Sequence, residues 1–397
     1  MCIRDRPPSF GRSLSELHAQ SAAQWSREIE RALVVRIQEG ASPIGEVIHA
    51  LAWLRKGATP ALLARVMGLA DHAGNWDLTT AQGYLDQVAQ LTLVKVRSGD
   101  GRIFLHDELY ALLGKHILQE CSQDERDRVF QAVLHYYDDL AGDLEQRVDR
   151  ASLILPVIHA RLRQAYVEQM HYRLRHRPTL GFAMYFWLAE EALRGRDAEM
   201  DMLLRTELLR TVRLLQESAS MAGLDPREVE LDTAVRWGMR VLFLQNDPAA
   251  ALGVFHGIEE RWEEEAEGYE LAWMHMRLYQ AAARIERAAE GDWPQARAWL
   301  RQVEQTTEEM SNGAAAPTSM KGLFWWAQSP QVSRSMAISQ GRSWLVRTLK
   351  ALALNYEGYL DQQQGRYAEA VKHDQASARL QRPLATAGLA PTLNNLS

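Results

Sequence analysis

Apolar residues recur at three- and four-residue intervals along most of this chain, and a period of two is confined to one place. "ASPIGEVIHALAWLRKG", "TPALLARVMGL" and "TTAQGYLDQVAQL" follow the first pattern and predict three amphipathic helices. Thr59 followed by Pro60 reads as a cap and first helical position, and Thr79 or Thr80 as the cap of the third helix. In "LTLVKVRSGDGRIFLH" the pattern changes. Two short alternating runs, residues 91–97 and 102–106, flank Ser98-Gly99-Asp100-Gly101 and predict a hairpin. A helix over residues 108–120 follows, with Leu109, Leu112, Leu113, His116 and Ile117 on one face.

From about Asp124 onward the pattern is helical throughout, broken by short polar turns of a recurring form. "NDPAAALGVF", "GDWPQARAWL" and "GRYAEAVKHD" each place glycine or asparagine first, then a polar residue, then proline or an aromatic, with alanine further on. Gly291, Gly365 and Asn246 permit the chain reversal. Trp293 and Tyr367 are expected to wedge into their turns. Ala251, Ala296 and Ala370 are expected to let paired helices approach closely. About 39 residues separate Leu354 from Leu393, a solenoid-sized repeat, so each helix pair is expected to bury its face only against its neighbours.

Composition narrows the function classes. The 397 residues carry a net charge of −6 with 47% hydrophobic residues, so no basic or acidic tail points to a partner. Two cysteines, Cys2 and Cys121, exclude a disulfide framework and favour a reducing, cytoplasmic setting. No apolar run approaches the ~18 residues of a membrane span, and "MCIRDRPPSF" lacks the apolar centre of a signal peptide. That opening resembles the translation of a transposon-end sequencing adapter. Residues 1–10 are therefore expected to be a non-native or disordered start, and "APTLNNLS" a helix cut short.

The helical turns resemble tetratricopeptide repeats. In "ALALNYEGYLDQQQGRYAEAVKHDQASARL" Gly358, Gly365, Tyr367 and Ala370 fall on that family's small and aromatic positions. Asp374 stands where an aromatic is usual and Ser377 where alanine is usual, and the spacings between Gly195, Asn246, Gly291 and Gly365 are irregular. Upstream, "HALAWLRKGATPALLARVMGL", a helix, a hairpin and "FLHDELYALL" resemble the winged-helix domain of STAND (NB-ARC-like) signal-transduction ATPases. That group includes plant disease-resistance receptors, apoptosis adaptors and bacterial regulators, and commonly continues into such repeats.

The resemblance implies a mainly α architecture. Residues 11–40 would end a nucleotide-binding module, 41–122 would form a winged helix of three helices plus a β-hairpin, and 123–397 an α-solenoid of tetratricopeptide-like pairs truncated at its end. It further implies that His106, in Leu105-His106-Asp107, contacts the phosphate of ADP held by an upstream nucleotide-binding domain. The repeats would bind a protein, peptide or small inducer. The chain itself contains no G-x-x-x-x-G-K-[ST] loop, so no ATP hydrolysis and no cofactor are expected of it; ADP or ATP would belong to the intact parent. The competing reading is a tetratricopeptide interaction scaffold with a purely structural winged helix.

Each candidate residue also has a plainer role. His106 could be a boundary histidine with one hydrogen bond. Asp107, directly before Glu108 and an apolar stripe, is expected to cap the helix and so fix its neighbour. DNA binding is not expected: the third helix carries Asp86 but no lysine or arginine, and Lys95, Arg97 and Arg102 are too few to neutralise a backbone. Arg161, Arg163, Arg173, Arg175 and Arg177 read as a solvated helix face, and "EERWEEEAEGYE" as its acidic counterpart elsewhere. Phe324, Trp325 and Trp326 are core by default and a peptide-binding groove by the sharper reading. No nucleophile triad and no metal-ligand spacing is visible.

Overall fold

The structure is a computed structural model describing residues 43–114, 118, 121–150, 156–217, 221, 223–311 and 334–384. Among them are fourteen α-helices and two short strands. The chain divides into two compact units, Met1–Leu140 and Ala141–Ser397. Residues 1–42, Lys115–Ile117 and the Phe324-Trp325-Trp326 cluster lie outside the described residues.

In the first unit α1 (Ile44–Trp53), α2 (Pro60–Met67) and α3 (Leu78–Val88) precede β1 (Val94–Val96), β2 (Ile103–Leu105) and α4 (Asp107–Leu113). The Thr59 side chain accepts a hydrogen bond from Leu62 N, and Pro60 occupies the first turn, where its missing N–H costs nothing. The third helix starts earlier than its threonines suggest. Asp77 is the cap, accepting from Thr80 N at 2.9 Å and from the Thr80 hydroxyl at 2.7 Å. A carboxylate outcompetes a hydroxyl for those N–H groups because its hydrogen bonds are charge-assisted.

The hairpin is shorter than the alternation predicts. β1 and β2 pair antiparallel with Lys95 opposite Phe104, and Ile103 also exchanges two hydrogen bonds with Ala58. Ile103 and Leu105 are buried, with Phe104 turned to the other face, as a period of two requires. The Phe104 ring lies over Gly57, whose φ of +84° suits glycine and where a Cβ would come within 2.5 Å of that ring.

The division between units falls inside α5 (Gln123–Arg150), later than the expected boundary at residue 122. Packing explains this. The early part of α5 buries Val129, Phe130, Val133, Leu134 and Tyr137, and Phe130 meets Trp53 of α1 edge-to-face at 5.6 Å. Tyr136 and Asp139 reach Thr59 and Arg65 of α2.

The second unit continues with α6 (Pro156–His176), α7 (Pro178–Arg194), α8 (Ala198–Glu217), α9 (Pro226–Phe243) and α10 (Pro248–Trp262). A 3₁₀ turn, Glu263–Gly268, leads to α11 (Glu270–Arg287) and α12 (Asp292–Ser311), then α13 (Arg334–Gln363) and α14 (Tyr367–Leu384). Three of the expected reversals have their left-handed residue where predicted, at Asn246, Gly291 and Gly365. After α7 it is Arg196, not Gly195. Ala251, Ala296 and Ala370 are fully or almost fully buried, as close helix approach requires. The aromatics divide: Trp293 packs against the core, whereas Tyr367 is 69% exposed and wedges into nothing.

Packing is not confined to neighbours. Besides the sequential pairs, α9 contacts both α7 and α11, α13 contacts α11, and the 30-residue α13 also returns to α7. One continuous apolar core runs from Val167 to Leu360, so the expectation that each pair buries itself only against the next fails. The length of α13 is the reason: at 1.5 Å per residue, 30 residues span ~45 Å, several helix diameters.

Candidate functional site

His106 sits where β2 ends and α4 begins. Its backbone is extended and its N–H donates to the Leu93 carbonyl at 3.1 Å, while its carbonyl accepts from Leu109 and Tyr110, the first bonds of the helix. His106 is thus the N-cap residue, though its side chain makes no cap bond. The expected capping by Asp107 is corrected here. Asp107 is already the first residue of α4, and its side chain, 83% exposed, pairs with Lys95 at 3.4 Å. A residue at that position has its carboxylate beside the helix rather than beneath its free N–H groups. With Glu108 it still places negative charge in the first turn, where the helix dipole favours it.

Tyr110 fixes the orientation of this corner. Its hydroxyl donates to the Leu54 carbonyl at 3.2 Å and accepts from Leu105 N at 3.3 Å, so one buried side chain ties α4 to the strand before it and to the end of α1. The half-buried His106 imidazole has no hydrogen-bond partner among the described residues. Its support is therefore rigid while its nitrogens remain available to a ligand. On the hairpin, Asp100 holds both nearby arginines: Arg97 by a two-nitrogen contact, and Arg102 at 3.0 Å. Neither is poised for a phosphate backbone.

A second polar assembly lies inside the second unit, and sequence reading missed it. Glu190 of α7, Asp232 and Arg236 of α9, and His275 of α11 are all at most 5% exposed. Arg236 donates Nε to Asp232 at 2.9 Å and Nη2 to the Phe186 carbonyl at 3.2 Å, and its guanidinium lies over the Phe186 ring at 4.7 Å. His275 Nε2 reaches Glu190 at 3.1 Å, and its Nδ1 stands 3.7 Å from Asp232. Burial pushes the Asp232 carboxyl up, but Arg236 and His275 outweigh it and hold it below the usual range. Beside this cluster Asp201 takes a two-point clamp from Arg240, at 2.6 and 2.9 Å.

The arginine-rich stretch before α7 is a solvated face only in part: Arg161 is exposed and Arg163, Arg175 and Arg177 are half-buried. Arg173 and His171 are buried, and His171 Nδ1 meets Glu207 at 2.7 Å and Thr211 at 3.0 Å. Arg163 pairs with Asp197 and Glu199 at 2.8 and 2.9 Å. The basic run of α6 is matched to acids around α8, a complementarity split across 34 to 36 positions of sequence. By contrast Glu260, Glu263 and Glu264 are exposed, as expected of the acidic stretch, around a buried Trp262.

A third cluster closes the last helix pair. Asp361 of α13 accepts from Arg297 at 2.6 Å, from Arg366 at 2.5 Å and from His373 Nδ1 at 2.9 Å, and His373 Nε2 reaches Glu357 at 3.2 Å. Burial raises the Asp361 carboxyl, but the hydrogen bonds from Arg297, Arg366 and His373 prevail and hold it below the ordinary value. Glu304 of α12 goes the other way. Burial and then the Glu357 charge push it up to about 7, with His373 and Lys350 offsetting only part.

Comparison of the chain with family models, curated proteins and solved structures gives no match. No described helix is long and apolar enough to cross a membrane.

Proposed function

We propose that this chain is the regulatory and sensing part of a STAND-type signalling ATPase. In this reading the first unit is a winged helix. The second is a tetratricopeptide-like array that binds a protein, peptide or small inducer. The winged helix reports that event to an upstream nucleotide-binding domain, where His106 contacts the ADP phosphate in the resting state.

The observation that carries the reading is the His106 corner. Its backbone is fixed by the Leu93 carbonyl and the neighbouring Tyr110 brace, while its half-buried imidazole has no hydrogen-bond partner among the described residues. A neutral imidazole offers one N–H to a phosphate oxygen, and a protonated one adds charge assistance. Coupling then requires that inducer and ADP favour different states of the intact protein. The pairing of Arg97 and Arg102 with Asp100 weighs against DNA as the partner of the hairpin.

Two measurements test it. The coding sequence upstream should contain a G-x-x-x-x-G-K-[ST] loop, and a complete parent gene without one removes the reading. In the full-length parent, His106→Ala should release ADP about 10–100-fold faster, the worth of one hydrogen bond to a charged group, and raise basal signalling. An unchanged ADP off-rate in a folded variant would leave His106 a structural residue. The present chain alone should bind no ADP in calorimetry.

A further inference from the structure

We propose that His49, Cys121 and Glu125 form a zinc-type metal site in the first unit. His49 lies in the middle of α1, Cys121 two residues before α5, and Glu125 in the first turn of α5. One donor atom from each lies within 4.8 Å of the other two, and all three residues are half-buried. They are separated by 72 and 4 positions, so no ligand spacing in the sequence announces them.

The distances fit a shared ion. Zinc bonds of ~2.0–2.1 Å to imidazole nitrogen, ~2.0–2.2 Å to carboxylate oxygen and ~2.3 Å to thiolate sulfur give tetrahedral edges of about 3.5 Å for N···S and 3.3–3.5 Å for N···O. Here Cys121 Sγ stands 3.6 Å from His49 Nε2, and Glu125 Oε1 stands 3.9 Å from the same nitrogen. The first separation already matches, and the second needs a shift of about half an ångström. The mixed N, S and O set selects a borderline metal such as Zn²⁺ over Mg²⁺ or Ca²⁺, which take oxygen ligands.

The local fold holds two donors in place. Ser122 caps α5 by accepting from Glu125 N at 3.2 Å, which fixes Cys121 and Glu125 relative to each other. In the usual capping box the glutamate side chain would return to the cap residue, whereas Glu125 instead turns toward His49. Arg128 is the nearby cation acting against the site. Three protein ligands leave a fourth position for water or another donor, and binding would clamp α1 to the start of α5.

Co²⁺ added to the full chain under reducing conditions is the probe, because a Cys-bound cobalt absorbs through a thiolate charge-transfer band that other ligands do not produce. The expected result is one equivalent bound with that band, displaced by Zn²⁺. The band should be lost in Cys121→Ser, and the affinity should fall by about tenfold or more in His49→Ala and Glu125→Gln. Absence of the band in the unaltered chain at ~1 mM Co²⁺, an excess that allows for the weaker binding of Co²⁺ than of Zn²⁺ at a given site, overturns the proposal. So does a band that persists in Cys121→Ser, which would assign the thiolate to Cys2. Should Cys121→Ser not fold, alkylation of the unaltered chain decides. Zn²⁺ should slow modification of Cys121 relative to Cys2, and equal rates with and without Zn²⁺ refute the site.

Discussion

Single residues in the last helix pair are held by charges that sequence alone cannot pair. Asp361 is the common acceptor of Arg297, Arg366 and His373, with its side chain 1% exposed. Asp361→Asn keeps the volume but leaves those cations facing an amide, and should destabilise the chain by about 2–4 kcal/mol in urea denaturation. Glu304 contributes in the opposite sense. Its folded value of about 7 lies above the ordinary 4.5, so the folded chain binds the extra proton between those limits and stability falls as pH rises through that window. Glu357, also raised by burial, adds to the trend, whereas the depressed Asp361 and Asp292 act only below the ordinary carboxylate range. Glu304→Gln should therefore stabilise the chain at pH 8 by about 1–2 kcal/mol, the full shift being reduced by solvent screening of this half-buried group, and change it little at pH 5. Denaturation curves at both pH values check this, and an equal effect at both would reassign the pH dependence to other groups.

Elements were legible where the cause is local and obscure where it is not. Thr59-Pro60, the turn residues Asn246, Gly291 and Gly365, and the buried alanines beyond them act over a few positions, so periodicity and turn chemistry found them. The cap of α3 was misplaced by two or three residues because three adjacent side chains can serve, and the carboxylate wins. The departures at Asp374 and Ser377 are absorbed by the partner helix. Asp374 is fully buried against Gly358, and the Ser377 hydroxyl donates to the Ala351 carbonyl at 2.6 Å. Gly238 serves α9 as Gly358 serves α13. It stands eight residues before Asn246, as Gly358 stands seven before Gly365, and buried Ala283 is eight before Gly291. A Cβ at 238 would come within 2.4 Å of the Phe255 ring on α10. Gly238→Ala should thus cost about 1–3 kcal/mol despite its better helix propensity, and Gly238→Ala with Phe255→Leu should recover part of it. Thermal melting of the single and double variants separates this from a propensity effect, which would make the single variant more stable.

For the molecule as a whole, the pairing of charges across long sequence separations and the return of α13 to α7 decide how the second unit unfolds. An open array of helix pairs behaves as nearest-neighbour units and can lose a terminal pair independently. Here Glu190, Asp232, Arg236 and His275 join α7, α9 and α11, and Tyr279 of α11 meets Tyr356 of α13 edge-to-face at 6.3 Å. Burial pushes the Tyr356 hydroxyl up to about 12, and the charges it feels include two from α7, with Arg194 opposing the rise and Glu190 adding to it. Freeing α13 would therefore strip contacts from α7 as well as from α11 and α12. We expect α7, α9, α11 and the 343–363 part of α13 to exchange their amide hydrogens as one cooperative group with a common opening free energy. Arg236→Met should lower protection in all four helices together, because it leaves the Asp232 and Glu190 carboxylates buried with only His275 between them. If α13 and α14 instead exchange well ahead of α7 in the unaltered chain, the closure does not couple them and the second unit is an ordinary open array. The same experiment bears on signalling in the proposed regulator, since a cooperative unit can pass an event at one helix to the others only as a change of the whole.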